Sequence, residues 1–351
     1  MKPEQGQPYV SVVIAVFNGG PDLEKCLAAI RASTYPVFEC ILVDDASTDG
    51  MVIPATERHG VRVIRLEQQC GPARARNQGA QEARGEILFF TDADVLLHPD
   101  ALELAVQAFQ AEPAISAVFG SYDDQPEHVS FISQYRNLFH HWVHQTGAEE
   151  ASTFWTGCGA IRRDIFMEMG GFSQDYARPS IEDIELGARL RKSGYRIRLL
   201  KNMLGTHMKR WSFWNTIKTD IFHRGVPWML LMLKNRQMTS DLNLSYKSRL
   251  ATVAAGLLGV SLPVLVLAGP LGATPSLALI PLALVLVIIG THLGFYRYVA
   301  KKRSYAFAIG AIPMQVVFFS CCAVSVPLAY IEYYLDKRAT KANARHAGDI
   351  D

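Results

Sequence analysis

The sequence lacks the cysteine and charge patterns of several common protein classes. Its six cysteines are scattered over 351 residues without a C-x-x-C pair, which argues against a disulfide framework or a zinc site. The 35 basic residues nearly balance the 33 acidic ones, so no excess of positive charge favours a nucleic-acid partner. The first residues are polar and show none of the regions of a signal peptide. We therefore expect the N-terminal part to lie in a reducing cytosol.

Two familiar phosphate-binding motifs are also missing. The first apolar run ends in Phe17-Asn18-Gly19-Gly20-Pro21, which lacks the G-x-G-x-x-G that brings a backbone up to a dinucleotide. The sequence also lacks G-x-x-x-x-G-K-[ST], the phosphate loop of many ATPases and GTPases. A Rossmann dehydrogenase is therefore disfavoured, and any phosphate must be held by another arrangement.

Charged residues are absent from two long stretches, Leu250 to Tyr296 and Ser304 to Ile331. Each exceeds the roughly 20 residues that cross a bilayer core. We predict membrane helices near 250–268 and 276–296, separated by a Gly- and Pro-rich turn at 269–275, and a third near 305–333. The alternative is a buried helical hairpin in a soluble core.

The basic residues around these stretches predict an orientation. Lys and Arg precede the first span and follow the second, so both ends of that hairpin should face the cytosol. A third complete span would place Lys337 and Arg338 outside, against the same rule. Pro313 and Pro327 also allow a broken or re-entrant helix, and a single long tilted span is equally possible, so the number of spans stays at two or three. The expected location is a bacterial inner membrane, with the N-terminal domain on its cytoplasmic face.

The first 200 or so residues alternate strand-like and helix-like patterns. Strands are predicted at Val10 to Phe17, Cys40 to Val43, Val61 to Leu66 and Ile87 to Phe90, with helices at Asp22 to Ser33 and Pro72 to Arg84 and a weaker one broken by Pro54. This alternation is typical of an α/β fold with a doubly wound, mostly parallel sheet, here followed by an all-α transmembrane region. Ligands of such sheets bind at the carboxyl ends of the strands.

A pair of carboxylates follows one of these strands, in Thr91-Asp92-Ala93-Asp94. Two like charges this close repel each other, and a diphosphate beside them adds about 4 kcal/mol of repulsion per pair of unit charges 4 Å apart at an effective dielectric of 20. A divalent cation reverses the sign, and Mg²⁺ or Mn²⁺ binds through one or two carboxylates plus substrate phosphates. D-x-D alone is a weak motif, but its place after an apolar strand adds weight.

Other polar residues at strand ends have an ordinary interpretation beside a functional one. Asp44 and Asp45 follow the second strand, where they are suited to a base or ribose but are also common turn residues. Arg74 and Arg76 lie on the helix that begins at Pro72, where they suit a phosphate or base but equally a solvated helix face.

Together these segments resemble the inverting family 2 glycosyltransferases of the GT-A fold, over roughly residues 9 to 212. The motifs that carry the resemblance are Val12 to Asn18, Val43 to Asp49, Ala75 to Gly79, Thr91 to Asp94, Gly157 to Ala160 with Arg162-Arg163, and Glu182-Asp183. The resemblance implies a nucleoside-diphosphate-sugar donor, with uridine as its base. It also implies Asp45 at the base, with Asp44 as a second candidate there, Asp92 near the ribose or metal, and Asp94 on Mg²⁺ or Mn²⁺.

The resemblance extends to the acceptor side. It implies that Asp183 is the base that deprotonates the acceptor hydroxyl and that Glu182 helps to position the acceptor, near Gly157. The segment from His207 to Trp211 is similar to the Q-x-x-R-W signature of processive synthases, with His207 in place of Gln. That similarity implies Arg210 at the diphosphate and Trp211 in an acceptor channel, and His207 is a candidate metal ligand.

We therefore expect a cytosolic glycosyltransferase domain at 1–210, interfacial amphipathic helices at 211–245, a transmembrane region at 246–335 and a polar tail at 336–351. The expected partners are a nucleotide-sugar donor, a lipid-linked or membrane-proximal glycan acceptor and membrane lipids, without nucleic acid. The alternatives are a processive polysaccharide synthase and, from another class, a non-catalytic membrane scaffold or transport protein.

Overall fold

The computed structural model describes residues 7–176, 178–236, 242–268 and 275–348. The chain divides into two compact units, and the boundary lies between Trp211 and Ser212. The first unit contains nine described strands: β1 (Val10–Val16), β2 (Phe38–Asp44), β3 (Arg62–Arg65), β4 (Ile87–Asp92), β5 (Val95–Leu97), β6 (Ile115–Tyr122), β7 (Glu150–Ala151), β8 (Cys158–Arg162) and β9 (Arg196–His207).

Helices connect these strands. The described helices of the first unit are α1 (Gly20–Arg31), α2 (Val52–His59), α3 (Pro72–Glu82), α4 (Ala101–Ala111), α5 (Phe131–Thr146), α6 (Arg163–Glu168) and α7 (Glu182–Lys192). α3 begins at Pro72, whose fixed φ suits the first helical position. α7 ends just before Gly194, which takes a left-handed φ of +85°, as expected of a residue that stops a helix.

The strands form one mixed sheet in the order β3-β2-β1-β4-β8-β6-β9-β5, with β7 also paired to β9. β1 is parallel to both β2 and β4, and β2 is parallel to β3. Antiparallel pairs enter with β8, which lies between β4 and β6. The predicted doubly wound α/β sheet is confirmed, and the antiparallel strands come from the part of the chain beyond Phe90, where no strand was predicted.

Helices cover both faces of the parallel part. On one face Val12 and Ile14 share a buried apolar cluster with Leu23 and Leu27 of α1. On the other face α3 approaches so closely that a Cβ on Gly79 would lie 2.5 Å from Cγ1 of Val13. Because β2 and β4 flank β1 on opposite sides, the winding direction changes at β1. This leaves a crevice beyond the carboxyl ends of β1 and β4, where such sheets bind ligands.

The second unit is helical. It comprises α8 (Phe213–Lys218), a π-helix (Thr219–Gly225), α9 (Val226–Asn235), α10 (Tyr246–Ala268), α11 (Leu279–Thr291), α12 (Leu293–Lys302) and α13 (Tyr305–Gly348), with short 3₁₀ turns at Leu242–Leu244 and Pro275–Ala278. Two described helices are long and apolar enough to cross a membrane, Tyr246–Leu267 and Tyr305–Arg338.

The expected helix at 276–296 is not one straight element. It breaks at His292, and α11 and α12 meet at an angle of 64°, so together they form a broken span or a re-entrant loop. By contrast, α13 runs without interruption through Pro313 and Pro327 and continues into the predicted polar tail. The predicted turn at 269–275 lies outside the described residues, except for Pro275.

Candidate active site

The two carboxylates after β4 lie at the edge of the sheet where β1 also ends. β4 ends at Asp92, and Ala93 and Asp94 form a tight turn that leads directly into β5. Each of the two carboxylate side chains is 33% exposed. A cavity of about 560 Å³ opens beside them, and among its walls are five of the predicted site residues: Asp45, Arg76, Asp92, Asp94 and Arg210.

Asp94 is paired with a histidine on the neighbouring strand. Nε2 of His207, at the end of β9, lies 3.7 Å from Oδ2 of Asp94. His207 is only 7% exposed, and its ring stacks on Tyr122 at a centroid distance of 4.2 Å. Burial alone would raise the pKa of the Asp94 carboxyl, but His207 and Lys209 outweigh it and lower that pKa. Asp94 is therefore held as a carboxylate beside a fixed imidazole.

The two aspartates after β2 have different surroundings. Asp45 lines the cavity, and its two carboxylate oxygens accept hydrogen bonds from the backbone N–H groups of Cys70 and Gly71, at 2.6 and 2.8 Å. Asp44 is fully buried and accepts a hydrogen bond from Ser47 N–H at 2.8 Å. Asp45 thus fixes the start of α3 at the cavity wall, while Asp44 holds the turn behind it.

The two arginines of α3 point to different places. Arg76 is 5% exposed and donates to Oδ1 of Asp92 at 2.7 Å and to Oε1 of Glu182 at 2.8 Å. Arg74 is exposed and donates to Gln174 at 2.9 Å. Arg74 is not among the residues that line the cavity. Arg74 and Arg76, which the sequence made candidate ligands for a phosphate, thus both donate hydrogen bonds to groups of the protein.

Glu182 and Asp183 occupy the first turn of α7. Besides Arg76, Glu182 accepts a hydrogen bond from Ser180 N–H at 2.9 Å. Oδ2 of Asp183 accepts from the backbone N–H of Thr156 at 3.2 Å, and Oδ1 accepts from Ile184 N–H at 2.8 Å. Burial, with the neighbouring Glu182 charge, raises the pKa of Asp183 to about 6 although Arg76 acts to lower it. Such a carboxyl exchanges protons near neutral pH, as a general base must.

The predicted acceptor residues do not line the cavity. Gly157 lies under the indole of Trp155, where a Cβ would be 2.3 Å from a ring carbon, so only glycine fits there. Trp211 is 7% exposed. The centre of its ring lies 4.3 Å from the guanidinium carbon of Arg136 and 4.8 Å from the ammonium nitrogen of Lys209. Their roles toward an acceptor remain predictions.

Several residues that the sequence did not single out also line the cavity. They are Phe17, Asn18, Asp22, Gln69, Arg178 and Lys209. Phe17 is 44% exposed, and its position directly after an apolar strand was a signal in the sequence that could have identified it. Arg178 carried no such signal, because its position depends on the fold of the segment before α7. Arg178 and Arg210 make no hydrogen bond or ion pair with other described residues.

The metal-binding side chains at this site would need substrate oxygens as additional ligands to hold a divalent cation. Within the described parts of the chain, no cluster of at least three His, Cys, Asp or Glu side chains could hold a metal ion. Asp94 and His207 offer a carboxylate and an imidazole 3.7 Å apart, and Asp92 lines the cavity together with Asp94. This matches the way Mg²⁺ and Mn²⁺ are usually held, by one or two carboxylates together with substrate phosphates.

Comparison with known proteins matches the part of the chain that contains this site to glycosyltransferase families. Residues 11–170 match the family model described as glycosyl transferase family 2, and residues 137–210 match the N-terminal domain of galactosyltransferase. The glycosyltransferase AglE of Haloferax volcanii is 26% identical over 209 residues, which cover 58% of this chain and 68% of AglE. Other curated relatives are matched over 40% to 62% of their own length.

Solved structures share the fold at low sequence identity. The mannosyltransferase PcManGT of Pyrobaculum calidifontis, in complex with GDP-Man and Mn²⁺, is 20% identical with a TM-score of 0.53, and the match covers 95% of this chain and 89% of that one. GalNAc-T7, with UDP, GalNAc and Mn²⁺, is 17% identical with a TM-score of 0.51, over 66% of this chain and 48% of the other. The two neighbours carry different nucleotides and the same metal ion.

Proposed function

We propose that the protein transfers one sugar from a nucleoside-diphosphate sugar to a lipid-linked or membrane-proximal glycan, with inversion. Residues 11–170 match the family 2 glycosyltransferase model, and the fold is shared with solved glycosyltransferases. The observation that carries this proposal is the charge arrangement of the cavity. Asp92 and Asp94 lie on its wall together with Arg178, Lys209 and Arg210, and a diphosphate with a divalent cation complements both signs.

The nucleoside of the donor is proposed to bind at the β1 and β2 end of the cavity. Phe17 offers an exposed ring on which a base can stack, an interaction that tolerates any base because every base has a π-face. Asp45 adds carboxylate oxygens at the same wall. Uridine diphosphate sugars are the first donors to test, and guanosine diphosphate sugars belong in the same screen because PcManGT was solved with GDP-Man.

The diphosphate is proposed to lie beside Asp94, with Arg178, Lys209 and Arg210 as its cationic partners. Asp94 and His207 are the residues that would hold Mg²⁺ or Mn²⁺, with Asp92 beside them. Such an ion, when bound, neutralises the negative charge that develops on the leaving diphosphate. The three cations of the chain contribute in the same direction through fixed positive charge at the site.

Asp183 is proposed to be the general base. It takes the proton of the acceptor hydroxyl as the hydroxyl oxygen forms a bond to the anomeric carbon and the bond from that carbon to the diphosphate oxygen breaks. Attack opposite the leaving group inverts the anomeric centre. A pKa of about 6 leaves Asp183 mostly ionised at neutral pH and still basic enough to accept this proton.

A membrane-proximal acceptor is proposed from the second unit. Its two candidate spans follow the catalytic unit. In the intervening helices Trp214 is 76% and Phe222 60% exposed, and exposed Lys218 and Arg224 lie nearby in the sequence. Aromatic and basic side chains in this mixture suit a helix in the lipid headgroup layer. The basic residues flanking the spans favour the cytoplasmic side for the catalytic unit.

The test is a screen of nucleotide sugars with the full-length protein in lipid nanodiscs. Hydrolysis or transfer should require Mn²⁺ or Mg²⁺, stop with EDTA, and be lost in Asp94→Ala and Asp183→Asn. Lys192→Ala is a matched control, because Lys192 is an exposed residue at the far end of α7. Turnover that survives EDTA and both substitutions would contradict the proposed mechanism.

A further inference from the structure

We infer that Arg76 is a positioning residue that joins the donor site to the helix carrying the base, by bridging Asp92 and Glu182. The inference rests on the proposed function, because it gives Asp92 and α7 their roles. From the sequence, Arg76 was a candidate ligand for phosphate or base. The structure assigns it a different task, in which its two terminal nitrogens are used by two carboxylates of this chain.

The bridge connects distant parts of the sequence. Nη2 of Arg76 donates to Oδ1 of Asp92 at the end of β4. Nη1 donates to Oε1 of Glu182 in the first turn of α7, 106 residues beyond Arg76. The other oxygen of Glu182 accepts from Ser180 N–H. Asp92 lines the cavity, whereas Glu182 does not. Any effect of Glu182 on a ligand in the cavity must therefore pass through another residue.

The burial of Arg76 shows that the bridge is favoured over other contacts. The side chain is 6% exposed, and its guanidinium carbon lies 5.9 Å from the centre of the Phe172 ring. Its Nε is buried without a hydrogen-bond partner among the described residues. Leaving a buried donor unpaired is costly, so the guanidinium is oriented to serve Asp92 and Glu182 at the expense of its third nitrogen.

The electrostatics agree with this geometry. Burial on its own would lower the pKa of the Arg76 guanidinium, but the charges of Asp92, Glu182 and Asp183 outweigh it and raise that pKa. Arg76 is thus permanently charged. A planar guanidinium can face two carboxylates at once, whereas the compact ammonium of lysine is a single point charge. Arg76→Lys keeps the charge and should break the bridge.

The bridge predicts that Glu182 influences nucleotide binding only while Arg76 is present. The experiment is a double-mutant cycle on uridine diphosphate affinity with Mn²⁺, measured by calorimetry on the full-length protein, with guanosine diphosphate as the second probe. We expect Glu182→Gln to weaken binding about fivefold in the wild-type background, and to have little effect in Arg76→Lys, as for contacting residues that act as one unit. Equal effects of Glu182→Gln in both backgrounds, or none in either, would overturn the inference.

A matched control separates bridging from general support of the fold. Arg189 on α7 is also partly buried, and it bonds Glu185 and the carbonyl of Gly171. Arg189→Lys should lower the melting temperature as Arg76→Lys does, yet leave nucleotide affinity and its response to Glu182→Gln unchanged. If Arg76→Lys does not fold, the cycle between Asp92→Asn and Glu182→Gln with Arg76 intact gives the answer, since additive effects would contradict the bridge.

The proposed function and the bridge fail in different ways. If the wild-type protein binds neither uridine nor guanosine diphosphate, the proposed donor site is wrong. If the wild-type protein binds one of them and the cycle is additive, the donor site stands and the bridge is wrong.

Discussion

The pKa of Asp183 leads to a sharp prediction about the pH dependence of turnover. Burial and the adjacent Glu182 charge raise this pKa from the ordinary 3.8 to about 6. Arg76 and the backbone N–H groups of Thr156 and Ile184 act in the opposite direction. Because the ionised form is the base, kcat/KM should be flat above about pH 7 and fall toward lower pH. With a pKa of about 6, roughly one Asp183 in ten is ionised at pH 5, so the rate should be about tenfold below its plateau.

The assay is donor turnover at a subsaturating donor concentration, between pH 4.5 and 8.5, with fixed free Mn²⁺. Protein exposed to pH 5 and returned to pH 7.5 should regain full activity, which excludes denaturation. Any residual turnover of Asp183→Asn should lose this acidic limb. A plateau that continues to pH 5 would refute the raised pKa, because an unperturbed aspartate remains mostly ionised at that pH. The same acidic limb in Asp183→Asn would refute Asp183 as the base.

Three further predictions concern the donor site and the fold. Phe17→Ala should weaken uridine diphosphate binding about tenfold, since stacking on an aromatic ring is worth ~1–3 kcal/mol per base, and calorimetry that finds affinity within a factor of two would contradict the stacking. His207→Ala should raise the Mn²⁺ concentration for half-maximal activity about tenfold or more, and an unchanged Mn²⁺ titration would remove His207 from the site with Asp94. Gly79→Ala should destabilise the first unit by about 1–3 kcal/mol, because its Cβ would collide with Val13 and overpacking has this cost. An unaltered unfolding midpoint would contradict the close packing of α3 on β1.

Much of the parallel half of the fold followed from the sequence pattern. The apolar runs at Val10 to Phe17 and Ile87 to Phe90 and the helix beginning at Pro72 were predicted close to their observed bounds, because apolar residues and turn residues alternate there at regular spacing. β6, β8 and β9 were not predicted. Ile115–Tyr122 is buried throughout, although Ser116, Gly120 and Ser121 interrupt its apolar residues, so neither a continuous apolar run nor regular alternation marked it as a strand.

The membrane region shows a similar limit. The uncharged stretches predicted where the apolar helices lie. The break at His292 was not predicted, because Thr291 and His292 are only two polar residues within a long apolar stretch. The uninterrupted course of α13 through two prolines was equally unpredictable. Proline removes a backbone donor, and tertiary packing decides whether the helix then breaks or continues.

For the candidate site, the sequence predicted several of the residues that line the cavity but not the contacts that each of them makes. Arg74 and Arg76 are two positions apart on one helix, so they face different directions, yet their spacing gave no means of telling which one points inward. Arg178 was missed because it lies in an irregular segment before α7, and the sequence pattern does not predict where such a segment places a side chain. Conversely, the pairing of Asp94 with His207 spans β5 and β9, and only the sheet register brings them together.

The two acidic residues at the start of α7 differ in their contact with the buried guanidinium of Arg76. Arg76 faces three carboxylates, those of Asp92, Glu182 and Asp183, and contacts the first two directly. Glu182 therefore has a guanidinium and a backbone N–H on its oxygens, whereas Asp183 has only neutral donors. Arg76 acts to lower the pKa of Asp183 as well, but without direct contact it does not offset burial and the Glu182 charge, which raise that pKa. This arrangement leaves Asp183, rather than its sequence neighbour Glu182, as the carboxylate without a guanidinium contact, which is consistent with its proposed role as the base.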